Sequence, residues 1–119
     1  FFNQLGKAVV VSTEKENNQL WTITSTMAIY FEFCNTLEMW LVSKKVKADK
    51  ARAMIASLMF GLSHTMLTSK TKTKDLIKEY QTKKGINEEL LLRLKKAGVF
   101  TKMNGALTKI LDRITKAND

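Results

Sequence analysis

Two short polar segments contain the residues that could bind a ligand. In the first, Thr82 and Gly85 lie in a loop, and Asn87 follows as the expected N-cap of a helix. The N–H groups at the start of a helix lack partners within the helix and attract negative charge, so this segment could bind an anionic group. A loop that ends in an ordinary helix cap is the alternative interpretation.

The second segment consists of Thr24, Ser25 and Thr26, which interrupt a long helical pattern. Their hydroxyl groups could line a ligand pocket. They could instead hydrogen-bond the backbone carbonyls of a helix that bends there. We predict all six residues of the two segments as substrate-binding candidates, and no residue as catalytic.

Several kinds of site are excluded by residue counts. Cys34 is the only cysteine and His64 the only histidine, so neither a disulfide within the chain, nor a cysteine-built zinc site, nor a multi-histidine centre can form. The five glycines, at positions 6, 61, 85, 98 and 105, match neither a dinucleotide-binding nor a P-loop fingerprint. We therefore expect no metal site and no cofactor site in this chain.

The chain is strongly basic, with a formal net charge of +9. Only Arg52, Arg93 and Arg113 among its 20 basic residues are arginines, and the lysines are spread along the sequence. Readout of bases and phosphates favours the planar arginine side chain, so this composition indicates a solvated lysine face rather than a nucleic-acid site.

The most apolar stretch, residues 27–42, is interrupted by Glu32, Asn35 and Glu38 and is too short to cross a membrane. A lone cysteine and the lack of a signal-peptide pattern favour the cytoplasm. The chain opens on Phe1 without a methionine, from which we expect a piece of a longer protein.

Two helices have more apolar surface than a 119-residue monomer can bury. Residues 27–42 are apolar on nearly all sides, and residues 49–67 have an apolar face with a methionine-rich flank. The excess predicts a homodimer. The positions expected at its interface are Ile29, Phe33, Leu37, Trp40, Met54, Leu58, Met59 and Leu62.

Capping residues in the rest of the sequence indicate where further helices begin. Thr13 and Glu16 match a capping box, and Thr73, Asn87 and Thr101 are the expected starts of three later helices. Residues 7–11 are continuous in apolar and β-branched character and predict a short strand. A lone strand needs a partner, which points to a sheet elsewhere in the natural protein.

These segments follow one known family in order and spacing. Residues 24–30 fall where that family has Ser-Gly-Ser-Gly-Pro-Ala-Tyr, and residues 81–87 where it has a Thr-Ser/Thr-Pro-Gly-Gly-Thr-Thr loop. Further matches are Phe2, Leu5, Gly6, Val9, Val10, Val11, Ala51, Gly61, Leu91, Leu94, Gly98, Ala106 and Arg113. The chain thus resembles the C-terminal dimerisation domain of the pyrroline-5-carboxylate reductase family.

The resemblance implies an all-α, interleaved helical dimerisation domain of the 6-phosphogluconate dehydrogenase C-terminal type. Residues 1–11 would then be the tail of an N-terminal dinucleotide-binding domain, including its last strand. Residues 12–119 would be the helical dimerisation and substrate domain.

The resemblance also implies an activity for the parent protein: hydride transfer from NADP or NAD to a cyclic imine, which yields proline. The cofactor would be held by the missing N-terminal domain, so we expect the fragment alone to be inactive. The substrate carboxylate would be held by backbone N–H groups near Gly85 and Asn87. Lys83 and Lys84 stand where the family has a proline and a glycine, which adds positive charge.

Two other classes of function fit parts of the sequence. The positive charge fits a basic helical module that binds nucleic acid, whose affinity would fall steeply with salt. The methionine-rich face of residues 54–66 fits an adaptor that binds a foreign helix. Self-association that buries this face would exclude the adaptor.

Overall fold

The computed structural model describes residues 12–118, and these residues form an all-α chain without a strand. The predicted strand over residues 7–11 lies outside the described residues. The helices are α1 (Glu14–Ile23), a 3-10 turn (Thr24–Thr26), α2 (Met27–Ser43), α3 (Ala48–Thr68), α4 (Thr73–Glu79), α5 (Ile86–Lys96) and α6 (Val99–Asn118). The all-α prediction is confirmed.

The start of α1 confirms the predicted cap. The Glu16 N–H donates to Thr13 Oγ1 at 3.0 Å, and the Ser12 hydroxyl donates to Glu16 Oε2 at 2.6 Å. Glu14 and Glu16 also place negative charge in the first turn, where the helix dipole favours it.

Three other helices begin at different residues from those predicted. Gly85, not Asn87, is the N-cap of α5, because a tight turn brings the Gly85 N–H to 2.7 Å from the Thr82 carbonyl and the helix follows at once. Lys72 rather than Thr73 is the N-cap of α4. Gly98 takes a left-handed conformation (φ 79°) that ends α5 and lets α6 begin before Thr101.

The chain divides into two compact units. The first, here called the terminal unit, contains the described residues 12–27 and 99–118, and in it α1 contacts α6. Asn18 and Thr22 are its buried residues in the described range. Asn118 Nδ2 donates to Asn18 Oδ1 at 2.7 Å, so a side-chain hydrogen bond joins the two helices.

The second, here called the central unit, contains residues 28–98 and therefore most of α2 together with α3, α4 and α5. Within this unit only Ala51 and Ile55 are buried, at 0% and 5% exposure. They lie one turn apart on α3. A single copy of the central unit thus has almost no core of its own.

Candidate functional site

The predicted dimer-interface residues lie on the surface of the single chain. Those on α2 and α3 that are exposed are Ile29, Phe33, Trp40, Met54, Leu58 and Leu62, while Leu37 and Met59 are half-buried. Monomeric soluble proteins rarely leave apolar patches of this extent open to water. The two helices therefore present a large uncovered apolar surface, here called the α2–α3 apolar stripe.

Two exposed aromatic residues extend this apolar surface beyond the predicted set. Phe31 is 69% exposed on α2 and Phe60 is 76% exposed on α3. The Phe60 ring stacks on His64 one turn later, with ring centroids 6.3 Å apart. Phe60 lies within residues 54–66. The methionine-rich composition of that segment had already indicated an apolar surface there.

The structure brings Thr82 and Gly85 together in one tight turn. A side chain at Gly85 would place its Cβ 2.9 Å from the Thr82 carbonyl oxygen and closer still to Thr82 Oγ1, so only glycine fits without a shift. Lys84 has a left-handed backbone (φ 62°), a conformation that glycine adopts more readily than lysine. Lysine thus keeps a glycine-like backbone in this loop.

Charges of both signs lie around the first turn of α5. The Lys84 N–H donates to Glu88 Oε1 at 3.4 Å, and Glu88 and Glu89 both lie in that turn. Asn87 follows Ile86 and is exposed. The turn thus combines two lysine side chains, two carboxylates and the helix start.

The hydroxyl groups of the other predicted segment are engaged as donors. Thr24 Oγ1 donates to the Trp21 carbonyl at 2.6 Å, Ser25 Oγ to Thr22 at 2.6 Å, and Thr26 Oγ1 to Ile23 at 2.7 Å. These bonds stabilise the 3-10 turn between α1 and α2. Each oxygen keeps lone pairs that can still accept a hydrogen bond.

The two predicted segments belong to different units. Thr24–Thr26 are part of the terminal unit, whereas residues 82–87 are part of the central unit. The assignment of both segments to substrate binding stays a prediction.

Residues 12–118 have neither a cluster of metal-ligating side chains nor a membrane-spanning helix. This range contains no group of three or more histidine, cysteine, aspartate or glutamate side chains that could hold a metal ion. None of its helices combines the length and the hydropathy that a membrane crossing needs.

Comparison with known protein families identifies the chain by one of its domain models. The family model for pyrroline-5-carboxylate reductase dimerisation matches residues 14–117. Neither a curated protein nor a solved structure matches the chain. The matched range begins with the first residue of α1 and includes every described helix except the last residue of α6, Asn118.

Proposed function

The chain belongs to the pyrroline-5-carboxylate reductase dimerisation family, and from this premise we propose that two copies pair through α2 and α3. One observation carries the proposal: in the described central unit only Ala51 and Ile55 are buried, while large apolar side chains of α2 and α3 remain 37–76% exposed. A second copy laid on the α2–α3 apolar stripe covers these side chains. Obligate homodimers have interfaces of this apolar character.

The dimer is part of a larger enzyme, a reductase that acts on a C=N bond. The parent protein transfers hydride from NADP or NAD to a cyclic imine, as pyrroline-5-carboxylate reductases do. Residues 12–118 contain no strand and so do not fit a dinucleotide, which needs a strand, a glycine-rich turn and a helix. The cofactor is held by an N-terminal dinucleotide-binding domain of the parent, and the fragment alone is inactive.

The turn around Gly85 supplies the substrate contacts of this chain. Backbone N–H groups at the start of α5 favour a carboxylate, and Lys83 and Lys84 add positive charge. Glu88 and Glu89 oppose this charge. The balance between the two lysine charges and the two glutamate charges sets the affinity of the turn for an anionic substrate.

Light scattering on the chain tests the pairing. We expect a mass of twice 13.6 kDa at micromolar concentration, without dissociation on tenfold dilution, because the apolar stripe has no other cover. A monodisperse species of 13.6 kDa with unchanged helix content would contradict the proposal.

Replacing Gly85 with alanine tests the substrate turn in the longer protein that includes the nucleotide domain. The new Cβ collides with the Thr82 carbonyl and displaces the turn, so we expect kcat/KM for the imine to fall by about tenfold or more. Gly105→Ala is the matched control, because nothing lies within 4 Å of its Cβ. Equal kcat/KM values for the two variants would refute a substrate role for the turn.

A further inference from the structure

The carboxylate of Glu88 lies at the start of α5, where the proposed function also places the substrate carboxylate. The Lys84 N–H donates to Glu88 Oε1 at 3.4 Å, so this side chain reaches back to the residue before the N-cap, Gly85. Backbone N–H groups at a helix start attract carboxylates. The chain's own glutamate thus makes the kind of contact that a substrate carboxylate would make.

The backbone N–H groups near Glu88 differ in their partners. The Gly85 N–H donates to the Thr82 carbonyl at 2.7 Å. Gly85 has no side chain that could cap α5, and the N–H groups of Ile86 and Asn87 lack partners within the helix, as the first groups of every helix do. An anion that approaches these two groups therefore arrives close to the Glu88 carboxylate.

The hydrogen bond that holds Glu88 is long. N–H···O bonds in proteins are commonly about 2.7–3.2 Å, and bonds to charged acceptors are among the shorter ones. Glu88 is half-buried, so water can reach its carboxylate once it leaves the Lys84 N–H. A substrate carboxylate at an ordinary hydrogen-bond distance can therefore displace it.

The two glutamates of the first turn have different partners. Glu89 Oε2 accepts from Arg93 Nε at 3.3 Å, one turn along α5. Among the described residues, neither Lys83 nor Lys84 forms an ion pair with Glu88. Glu88 and Glu89 thus have the same charge and adjacent positions, but Glu88 is the one that contacts the backbone ahead of the helix.

We propose that Glu88 is an internal competitor at the substrate turn: its carboxylate occupies the anion position of the free protein and must be displaced before an anionic substrate binds. Two ionised carboxylates repel each other, so both do not stay at one position. The competition excludes simple anions from the turn, and a ligand needs further contacts to remain bound. This role rests on the proposed function of the turn at Gly85.

Titration of the isotope-labelled chain with sodium acetate, followed by NMR, measures the competition without the enzyme reaction. Sodium chloride at equal ionic strength is the control for salt. The amide signals of residues 84–88 report binding. We expect Glu88→Gln to bind acetate about tenfold more tightly than the unchanged chain, because the competing carboxylate is gone.

Two further variants separate competition from net charge. Glu89→Gln removes the same charge from the next residue and leaves the Lys84 contact in place, so we expect a gain of less than about threefold. Glu88→Asp keeps the charge but shortens the side chain by a methylene group, so that it no longer reaches the Lys84 N–H. Its affinity for acetate should rise severalfold, which net charge does not explain.

Kinetics of the longer protein that includes the nucleotide domain show whether the competition acts on the reaction. Glu88→Gln should lower KM for the imine by about tenfold and change kcat by less than about twofold, because only ground-state binding is affected. A large loss of kcat or of helix content would instead assign Glu88 to stabilising the turn and would overturn the proposal.

Two results of the acetate titration would also overturn the role of Glu88 while leaving the substrate turn as proposed. One is an equal gain for Glu88→Gln and Glu89→Gln without a gain for Glu88→Asp, which reduces the effect to net charge. The other is that no variant binds acetate more tightly than the unchanged chain. If the longer protein does not reduce a cyclic imine, the proposed reaction fails, and the acetate titration still decides the role of Glu88.

Discussion

Lysine at position 33 is expected to weaken the dimer by about a thousandfold. Phe33 lies on the α2–α3 apolar stripe and is 47% exposed in the single chain, so a partner would bury the rest of its ring. Phe33→Lys removes that burial and places an unpaired ammonium group in an apolar contact, which is strongly unfavourable. In a two-fold symmetric dimer every substitution occurs twice, which doubles its free-energy effect.

Sedimentation or light scattering over a dilution series measures this effect. Asn35→Lys is the matched control, because it adds the same charge to the same helix at an exposed polar position two residues on, about 200° around the helix from Phe33. Its ammonium group lies three residues from both Glu32 and Glu38, a spacing that favours opposite charges. Dissociation of Asn35→Lys to the same extent, or an intact Phe33→Lys dimer, would contradict the assignment of the interface to this stripe.

The all-α fold could be predicted because the helix signals in this sequence are local. The hydroxyl of Thr13 caps α1 through a bond to a residue three positions away, and the hydroxyls of Thr24–Thr26 bond carbonyls three positions back. Such contacts depend on spacing along the chain and not on tertiary packing. The cap at Thr13 and a break in the α-helical pattern at Thr24–Thr26 were accordingly correct.

The start of α5 could not be predicted from residue types alone. Asn87 is a good capping residue, but the turn between Thr82 and Gly85 closes two residues earlier. That turn requires a left-handed lysine at position 84, which propensity disfavours. The position of the helix start is thus set by the turn geometry.

The apolar face of α3 was predicted by its spacing, but its cover was not. Ala51, Ile55, Leu58 and Leu62 follow one helical face, yet only the first two are buried in the single chain. Periodicity identifies which residues avoid water and says nothing of which chain covers them. The exposed half of this face, 45% at Leu58 and 39% at Leu62, is what the proposed partner must contact.

The second large effect is expected from a substitution in the buried half of this α3 face. Ile55 is 5% exposed and is one of two buried residues in the described central unit. Ile55→Ala removes buried methyl and methylene groups and leaves a void, which costs about 2–5 kcal/mol in well-packed sites. We expect a loss in that range in urea unfolding at a fixed protein concentration.

Ile77→Ala removes the same atoms from α4, where the side chain is 44% exposed. Less apolar area leaves contact there, so we expect a loss of about 1 kcal/mol or less. The protein concentration must be the same for both variants, because dimer formation adds a concentration-dependent term to the stability. Equal losses of unfolding free energy for the two variants would contradict this prediction. The packing around Ala51 and Ile55 would then not stabilise the single chain, and the central unit would take its stability from the partner copy alone.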